Sequence, residues 1–222
     1  MPASAPAHVL FDLDGTLIDS APAILASYRA AFADCGIEPT CAIDQRLIGP
    51  PLNETLRLLM GRDDEALFER LAQAFKQRYD TTGYRQTVAY AGVDALLAQL
   101  RADGRKLHIA TNKRLHPTRL ILEQLGWDDH FASVYALDMV TPRLADKATM
   151  LGRQLVEQGV ACGAAIYIGD RAEDGVAATA NGLAFIAATW GYDSGAVTLN
   201  PAWIAADTPS TLLRLLGASC PD

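Results

Sequence analysis

The chain has 222 residues, with 19 Lys+Arg against 26 Asp+Glu and a formal net charge of −7. Half of the residues are hydrophobic and 20% are charged, an ordinary globular composition that excludes a largely disordered chain. The length fits one α/β domain, or one domain carrying a smaller insert, and the acidic balance argues against a nucleic-acid partner, which requires a basic face.

In chain order, His8 to Phe11 is a short apolar run ending at an acidic turn, the pattern of a buried strand. Ala21 to Cys35 has helical spacing at Ile24, Tyr28, Ala31 and Phe32, and Gly36 can end it. Between Ile43 and Gly83 only helical patterns occur. Leu52 to Met60 is one, and Asp64 to Tyr79 is another, with Leu67, Leu71, Phe75 and Tyr79 on one face. After Tyr90 the rhythm alternates. Helices are predicted at Asp94 to Ala102, Pro117 to Leu125, Lys147 to Gln158, Ala172 to Ala180 and Pro209 to Leu216. Strands are predicted at Lys106 to Ala110, Ser133 to Leu137, Ala164 to Ile168, Leu183 to Ala187 and Trp203 to Ala205. Such alternation implies βαβ crossovers and a doubly wound, mainly parallel sheet, an α/β fold. The all-helical block after the first strand reads as an insert over that sheet. In open sheets of this class ligands sit at the carboxyl ends of the strands, so the residues just after each strand are the candidates.

The start, Met-Pro-Ala-Ser-Ala-Pro-Ala, has no positive region leading into an apolar core, and the expectation is a chain without a secretory leader. The longest uncharged run, Gly175 to Tyr192, is long enough to raise the membrane question. Asn181-Gly182 inside it reads as a helix stop before a buried strand, so a spanning helix is rejected. Cys35, Cys41, Cys162 and Cys220 lack zinc-like spacing and read as reduced, mostly buried thiols of a cytosolic protein, with a disulfide the minority reading.

Three strand ends carry acidic or polar clusters. Asp12-Leu13-Asp14-Gly15-Thr16 follows the first strand. A solvated acidic turn is a common alternative, but an apolar strand aims both acids at the ligand edge. Close carboxylates repel unless a cation or a shared proton relieves them, and magnesium, with its taste for oxygen ligands, is the natural solution. Thr111-Asn112-Lys113 follows the second strand. A hydroxyl and nearby N–H groups there suit phosphate oxygens, though the same residues are ordinary turn chemistry. Gly169-Asp170-Arg171-Ala172-Glu173-Asp174 follows another strand. Asp170 and Asp174 lie one helical turn apart and can point at one spot, unless the first simply caps the helix. Lys147 opens a helix after Asp146. Alone it reads as a surface lysine; beside a carboxylate cluster and a phosphoryl ligand it can neutralise charge on the transferring group.

In order and spacing, Asp12-Leu13-Asp14-Gly15-Thr16, Thr111, Lys147 and Gly169-Asp170 with Asp174 resemble the motifs of the haloacid dehalogenase superfamily, from about His8 to Leu216. Ile48-Gly49-Pro50-Pro51-Leu52, Tyr90-Ala91-Gly92-Val93 and Trp190-Gly191-Tyr192 are similar to its phosphoglycolate phosphatase-like branch. The resemblance implies a Rossmann-like core of residues 1–18 and 86–222 and a helical cap of residues 19–85. It implies Asp12 as nucleophile forming an aspartyl-phosphate and Asp14 as acid/base. It implies Thr111, the Asn112 backbone and Lys147 as holders of the phosphoryl oxygens. A Mg2+ would be held by Asp12, the backbone carbonyl of Asp14, and Asp170, supported by Asp174. The implied partner is a small-molecule phosphate ester, with no nucleic acid and no membrane, for a cytoplasmic monomer or homodimer.

Asp14 disfavours dehalogenation, because dehalogenases resembling this fold lack an acid/base there. Lys76, the only lysine of the helical block, sits mid-helix and disfavours a Schiff-base route to phosphonate cleavage. A phosphomutase of the beta-phosphoglucomutase type and a non-catalytic phosphate-binding module stay open as rivals. The run Thr141 to Lys147 departs from the Lys-Pro frequent in this branch, so Arg143 competes with Lys147 for phosphate. His8, His108, His116 and His130 share no metal-like spacing, and Trp127, Trp190 and Trp203 read as packing residues. Arg46, Asn53, Glu54 and Arg57 read as a solvated helix face that could also meet a leaving group, and Ala95, Leu96, Leu97 and Leu100 read as core.

Overall fold

The computed structural model describes residues 5–193 and 200–218. Its elements in chain order are β1 (His8–Phe11), β2 (Ile18–Asp19), α1 (Ala21–Cys35), α2 (Leu52–Met60), α3 (Glu65–Thr81), β3 (Val88–Ala89), α4 (Val93–Ala102) and β4 (Lys106–Thr111). They continue with α5 (Leu115–Leu125), β5 (Ser133–Ala136), α6 (Lys147–Glu157), β6 (Ala165–Gly169), α7 (Ala172–Ala180), β7 (Ala184–Ala188), β8 (Ile204–Ala206) and α8 (Pro209–Leu215). Six strands form one sheet in the order β5-β4-β1-β6-β7-β8, with every neighbouring pair parallel. This is the α/β fold that the alternation implies.

Both faces of the sheet are covered, so its strands are apolar on both sides. The period of two sorts them. Val9 and Phe11 of β1 point into a cluster with Leu96, Leu97 and Leu100 of α4, Ile121 of α5 and Leu212 of α8. Leu10, between them, points to the other face, among Met150 and Leu151 of α6 and Ala177 and Ala178 of α7. Ala95 is exposed on α4, against the core reading of that residue, because it falls on the helix's solvent side. Truncating a fully buried leucine here, such as Leu97, should cost about 2–5 kcal/mol.

Helices α1, α2 and α3 close on a third buried cluster of their own, including Tyr28, Phe32, Leu56, Leu59, Leu71, Phe75 and Tyr79. Gly36 and Gly61 end α1 and α2 in left-handed geometry, and the Asp64 carboxylate caps α3 by accepting from the Leu67 N–H at 3.0 Å. The chain enters this helical block through β2 and leaves it through β3. These pair antiparallel, Ile18 with Ala89 and Asp19 with Val88. The sequence pattern does not reveal this ribbon, because two-residue strands display no periodicity.

Among the described residues no helix is long and apolar enough to cross a membrane. Cys35, Cys41 and Cys162 are free thiols, but Cys41 and Cys162 are exposed and Cys35 half-buried, against the mostly buried reading, because they fall in or beside loops and at a helix end; Cys220 lies outside the described residues.

Candidate active site

The neighbouring strands β4, β1 and β6 end side by side, at the point where the chain's strand order turns in opposite directions from β1. Asp12 leaves the end of β1, with its N–H donating to the Ile168 carbonyl of β6 at 2.8 Å. Asp170 follows β6. Asp174 lies in the first turn of α7, where its carboxylate accepts from the Arg171 N–H at 3.0 Å. One ligand oxygen from each of Asp12, Asp170 and Asp174 falls within 4.8 Å of the other two, and all three residues are buried. Lys147 enters from the first turn of α6, after its N-cap Asp146. Its Nζ lies 2.5 Å from Asp174 Oδ1 and 3.1 Å from Asp12 Oδ1. Thr111 closes β4 as a buried residue.

Three glycines make room for the acids. A Cβ on Gly15 would lie 2.3 Å from Asp170 Oδ2, one on Gly169 would lie 2.4 Å from Asp174 Cγ, and one on Gly191 would lie 2.3 Å from Asp170 Cβ. Asp170 is further tied by the Tyr192 N–H at 2.8 Å and by the Thr16 hydroxyl at 3.4 Å.

Burial sets the electrostatics. It pushes Asp12 up to about 8, with Lys147 opposing and the neighbouring carboxylates adding to the rise. Burial and then Asp174 push Asp170 up to about 7. Burial also works against the charge of Lys147, but Asp12 and Asp174 overcome it and hold its pKa well above the ordinary lysine value. Lys147 therefore stays an ammonium, while burial and mutual repulsion hold Asp12 and Asp170 towards their neutral forms, an effect that a cation among them would reverse. The Asp12 Oδ1 atom is buried and meets Lys147 Nζ at 3.1 Å in an ion pair that lacks hydrogen-bond alignment. An all-oxygen donor set of buried carboxylates that are costly to ionise without a counter-charge fits a hard divalent cation such as Mg2+.

Asp14 is built differently. It sits in the turn after Asp12, where Gly15 has φ +88° and Asp14 bridges to Ile18. Its carboxylate is not part of the three-acid group. It accepts from the Ser20 hydroxyl and from Lys113 Nζ, which lies 2.9 and 3.1 Å from its two oxygens. Beside this pair opens a cavity of about 50 Å³ between the helical block and the sheet edge, with Tyr28, Ile48, Phe75 and Tyr79 among its walls. Asn112 turns its side-chain amide away, donating to the Gly49 carbonyl at 3.1 Å and to Glu173 at 3.2 Å.

A model of the haloacid dehalogenase-like hydrolase family matches residues 9–188. The chain belongs to the haloacid dehalogenase-like hydrolases. A phosphoglycolate phosphatase from Xanthomonas campestris pv. campestris is 35% identical over 191 residues, 86% of each chain, and supports placement in the phosphoglycolate phosphatase-like branch. The tyrosine-protein kinase PtkA of Mycobacterium tuberculosis is 33% identical over 192 residues, 86% of this chain. The matched segment spans 65% of PtkA, just under two thirds of its length. A haloacid dehalogenase-like family hydrolase from Streptococcus pneumoniae superposes with a TM-score of 0.81 at 26% identity, covering 95% of this chain and 98% of that one.

Within this haloacid dehalogenase-like hydrolase, the fold brings Asp12, Lys147, Asp170 and Asp174 into one cluster and places Asp14 at the cavity beside it. Arg143 does not compete for the cluster, since its guanidinium donates to Glu54 on α2 at 2.8 Å. Arg46 pairs with Asp44 and Arg57 with Glu65 on the surface, as a solvated face does. Trp190 and Trp127 are packing residues whose indole N–H groups donate to the Thr16 carbonyl at 3.0 Å and to Asp94 at 2.9 Å. Sequence reasoning missed the roles of Ser20, Lys113, Tyr167 and Tyr192 around the acids. Tyr167, buried in β6, places its hydroxyl 3.4 Å from Asp174 Oδ1 while donating to the Ala110 carbonyl at 2.9 Å. Of these Lys113 carried a signal in its place directly after Thr111-Asn112, and Tyr192 one in the Trp190-Gly191-Tyr192 segment; Ser20 and Tyr167 carried none.

Proposed function

We propose that this hydrolase is a magnesium-dependent phosphatase of small phosphomonoesters, phosphoglycolate-like in size, working through an aspartyl-phosphate. The observation that carries the reading is the convergence of buried Asp12, Asp170 and Asp174 oxygens within 4.8 Å of one another, faced by Lys147 Nζ at 3.1 Å from Asp12 Oδ1. Asp12 attacks phosphorus; the new P–O bond forms as the bond to the leaving oxygen breaks, and Asp14 donates a proton to that oxygen. Water then attacks phosphorus, Asp14 takes its proton, and the electron pair of the broken bond returns to the Asp12 carboxylate. The Thr111 hydroxyl, the Asn112 backbone N–H and Lys147 hold the phosphoryl oxygens. Mg2+ would be held by Asp12, the Asp14 backbone carbonyl and Asp170, with Asp174 in support. When bound it offsets the repulsion between an anionic carboxylate and an anionic phosphate.

Residues 19–85 act in this proposal as a cap over a core of residues 1–18 and 86–222. Two contacts support a closed arrangement. Arg171 Nη1 donates to the Ile48 carbonyl at 2.5 Å, and Asn112 donates to Gly49. Closure excludes bulk water from the intermediate. Free thiols at Cys35, Cys41 and Cys162 suit a cytoplasmic setting.

The test is phosphate release over a panel of 2-phosphoglycolate, nucleoside 5′-monophosphates, sugar phosphates, pyrophosphate and phosphotyrosine, with Mg2+ and with chelator. Turnover is expected with Mg2+ alone, and none from D12N. Bisphosphate-dependent isomerisation without free phosphate identifies a mutase instead. Turnover by D12N rules out Asp12 as nucleophile.

A further inference from the structure

We infer that Lys113 is a positioning residue for Asp14, holding that carboxylate oriented for water activation only while α3 is seated against it. This rests on the phosphatase reading above. The two buried lysines of the site divide the acids between them: Lys147 faces Asp12 and Asp174, and Lys113 faces Asp14 alone. Lys113 touches both Asp14 oxygens, at 2.9 and 3.1 Å, and its side chain is only 5% exposed. The Ser20 hydroxyl holds Oδ1 as well. A carboxylate rotates broadly about its terminal torsion, and two donors on one group remove that freedom.

The other side of the ammonium lies over the Tyr79 ring of α3, 4.8 Å from its centroid. Tyr79 stacks on Phe75 at 5.5 Å, and Phe75 meets Tyr28 of α1 at 4.6 Å. An aromatic column thus runs from the core of the helical block to the ion pair. Lifting α3 removes one side of the brace without touching Lys147, Asp12 or the three-acid group. The step this serves is hydrolysis of the aspartyl-phosphate. Water oxygen bonds to phosphorus, the P–O bond to Asp12 breaks with its electrons returning to Asp12, Asp14 accepts the water proton, and inorganic phosphate departs. A base that rotates freely spends less time aligned with that water.

The experiment is rapid-mixing kinetics with p-nitrophenyl phosphate and Mg2+, since p-nitrophenolate leaves without protonation. K113M should give a p-nitrophenol burst close to one per active site, followed by a steady state roughly 10²-fold below wild type, the weight of one acid–base contribution. K113R, which restores a cation, should recover most of the steady state. Y79L should show the same burst with a smaller fall, and it carries the test if K113M does not fold. A parallel loss of burst and steady state in folded K113M, or a steady state unchanged in both K113M and Y79L, overturns the proposal while D12N stays silent. A burst from D12N instead rejects the aspartyl-phosphate reading, and the role of Lys113 with it.

Discussion

Arg171, the N-cap residue of α7, donates through Nη1 to the main-chain carbonyl of Ile48 at 2.5 Å, across 123 positions of sequence. The next residue, Gly49, has φ +110°, and a Cβ there would lie 2.5 Å from Arg171 Cδ. The loop leading to α2 therefore lies against the strand-end loops only because position 49 has no side chain and tolerates a left-handed backbone.

Gly49→Ala is expected to raise KM and lower kcat together, by about tenfold or more in kcat/KM, because it blocks the seated loop sterically and conformationally. Arg171→Ala should act in the same direction more weakly, since it removes one contact and creates no clash. Steady-state kinetics of the folded variants checks this; unchanged constants for G49A would falsify a role for the seated loop.

The acid cluster sets a pH dependence in chelator. Asp12 and Asp170 have folded pKa values of about 8 and about 7, above the ordinary 3.8, because burial favours their neutral forms. The folded state binds the extra protons, so their stabilising contribution is complete below pH ~4 and is lost as pH rises to about 8. In EDTA the melting temperature should fall across that window, and Mg2+ should restore it. D12N, which cannot ionise there, should melt a few °C above wild type at pH 8 in EDTA. Should D12N melt lower than wild type at pH 8, ionising the buried Asp12 is not what destabilises the metal-free protein.

At the opposite end of the sheet the sign reverses. His8 Nδ1 lies 3.0 Å from His108 Nε2, and the rings stack with centroids 5.2 Å apart. Burial and then His8 lower His108 to about 4, and burial followed by Lys106 lowers His8. Both are kept neutral in the folded state, so their contribution is complete above pH ~6.5 and is lost as pH falls toward about 4. Urea midpoints at pH 7 and pH 5 should differ less in H8L/H108L than in wild type. An equal difference in both proteins means that the pair does not set the acid limb.

Gly191 carries the tightest backbone demand at the site. A Cβ there would lie 2.3 Å from both Asp170 Cβ and the Gly15 carbonyl oxygen. Gly191→Ala should cost about 2–3 kcal/mol and weaken Mg2+ binding, because one of the two strand-end turns must retreat. Denaturant titration and calorimetry with Mg2+ measure the two effects; wild-type values in both would show that the turns give way freely.

What the sequence made legible follows from range. Asp12, Asp14, Asp170 and Asp174 stand directly after apolar strands or one helical turn further on, so local periodicity already aims them at a common edge. Lys147 is legible only through its spacing to the other motifs, because nothing local distinguishes it from a surface lysine. The Lys113–Asp14 pair spans 99 residues, Tyr192 reaches Asp170 over 22, and His8 meets His108 over 100. Such pairs are made by strand order and register, which local patterns do not encode. The same holds for the β2–β3 ribbon, whose two-residue strands exist only because the chain ends that flank the helices meet.

That meeting has an evolutionary corollary. With Ile18 beside Ala89 and Asp19 beside Val88, the polypeptide departs and returns through adjoining positions. A helical block attached in this way can be lengthened or trimmed while the six-stranded sheet keeps its register. On the proposed reading of these helices as a cap, variation in them leaves the strand-end acids undisturbed, because both crossings lie at one seam.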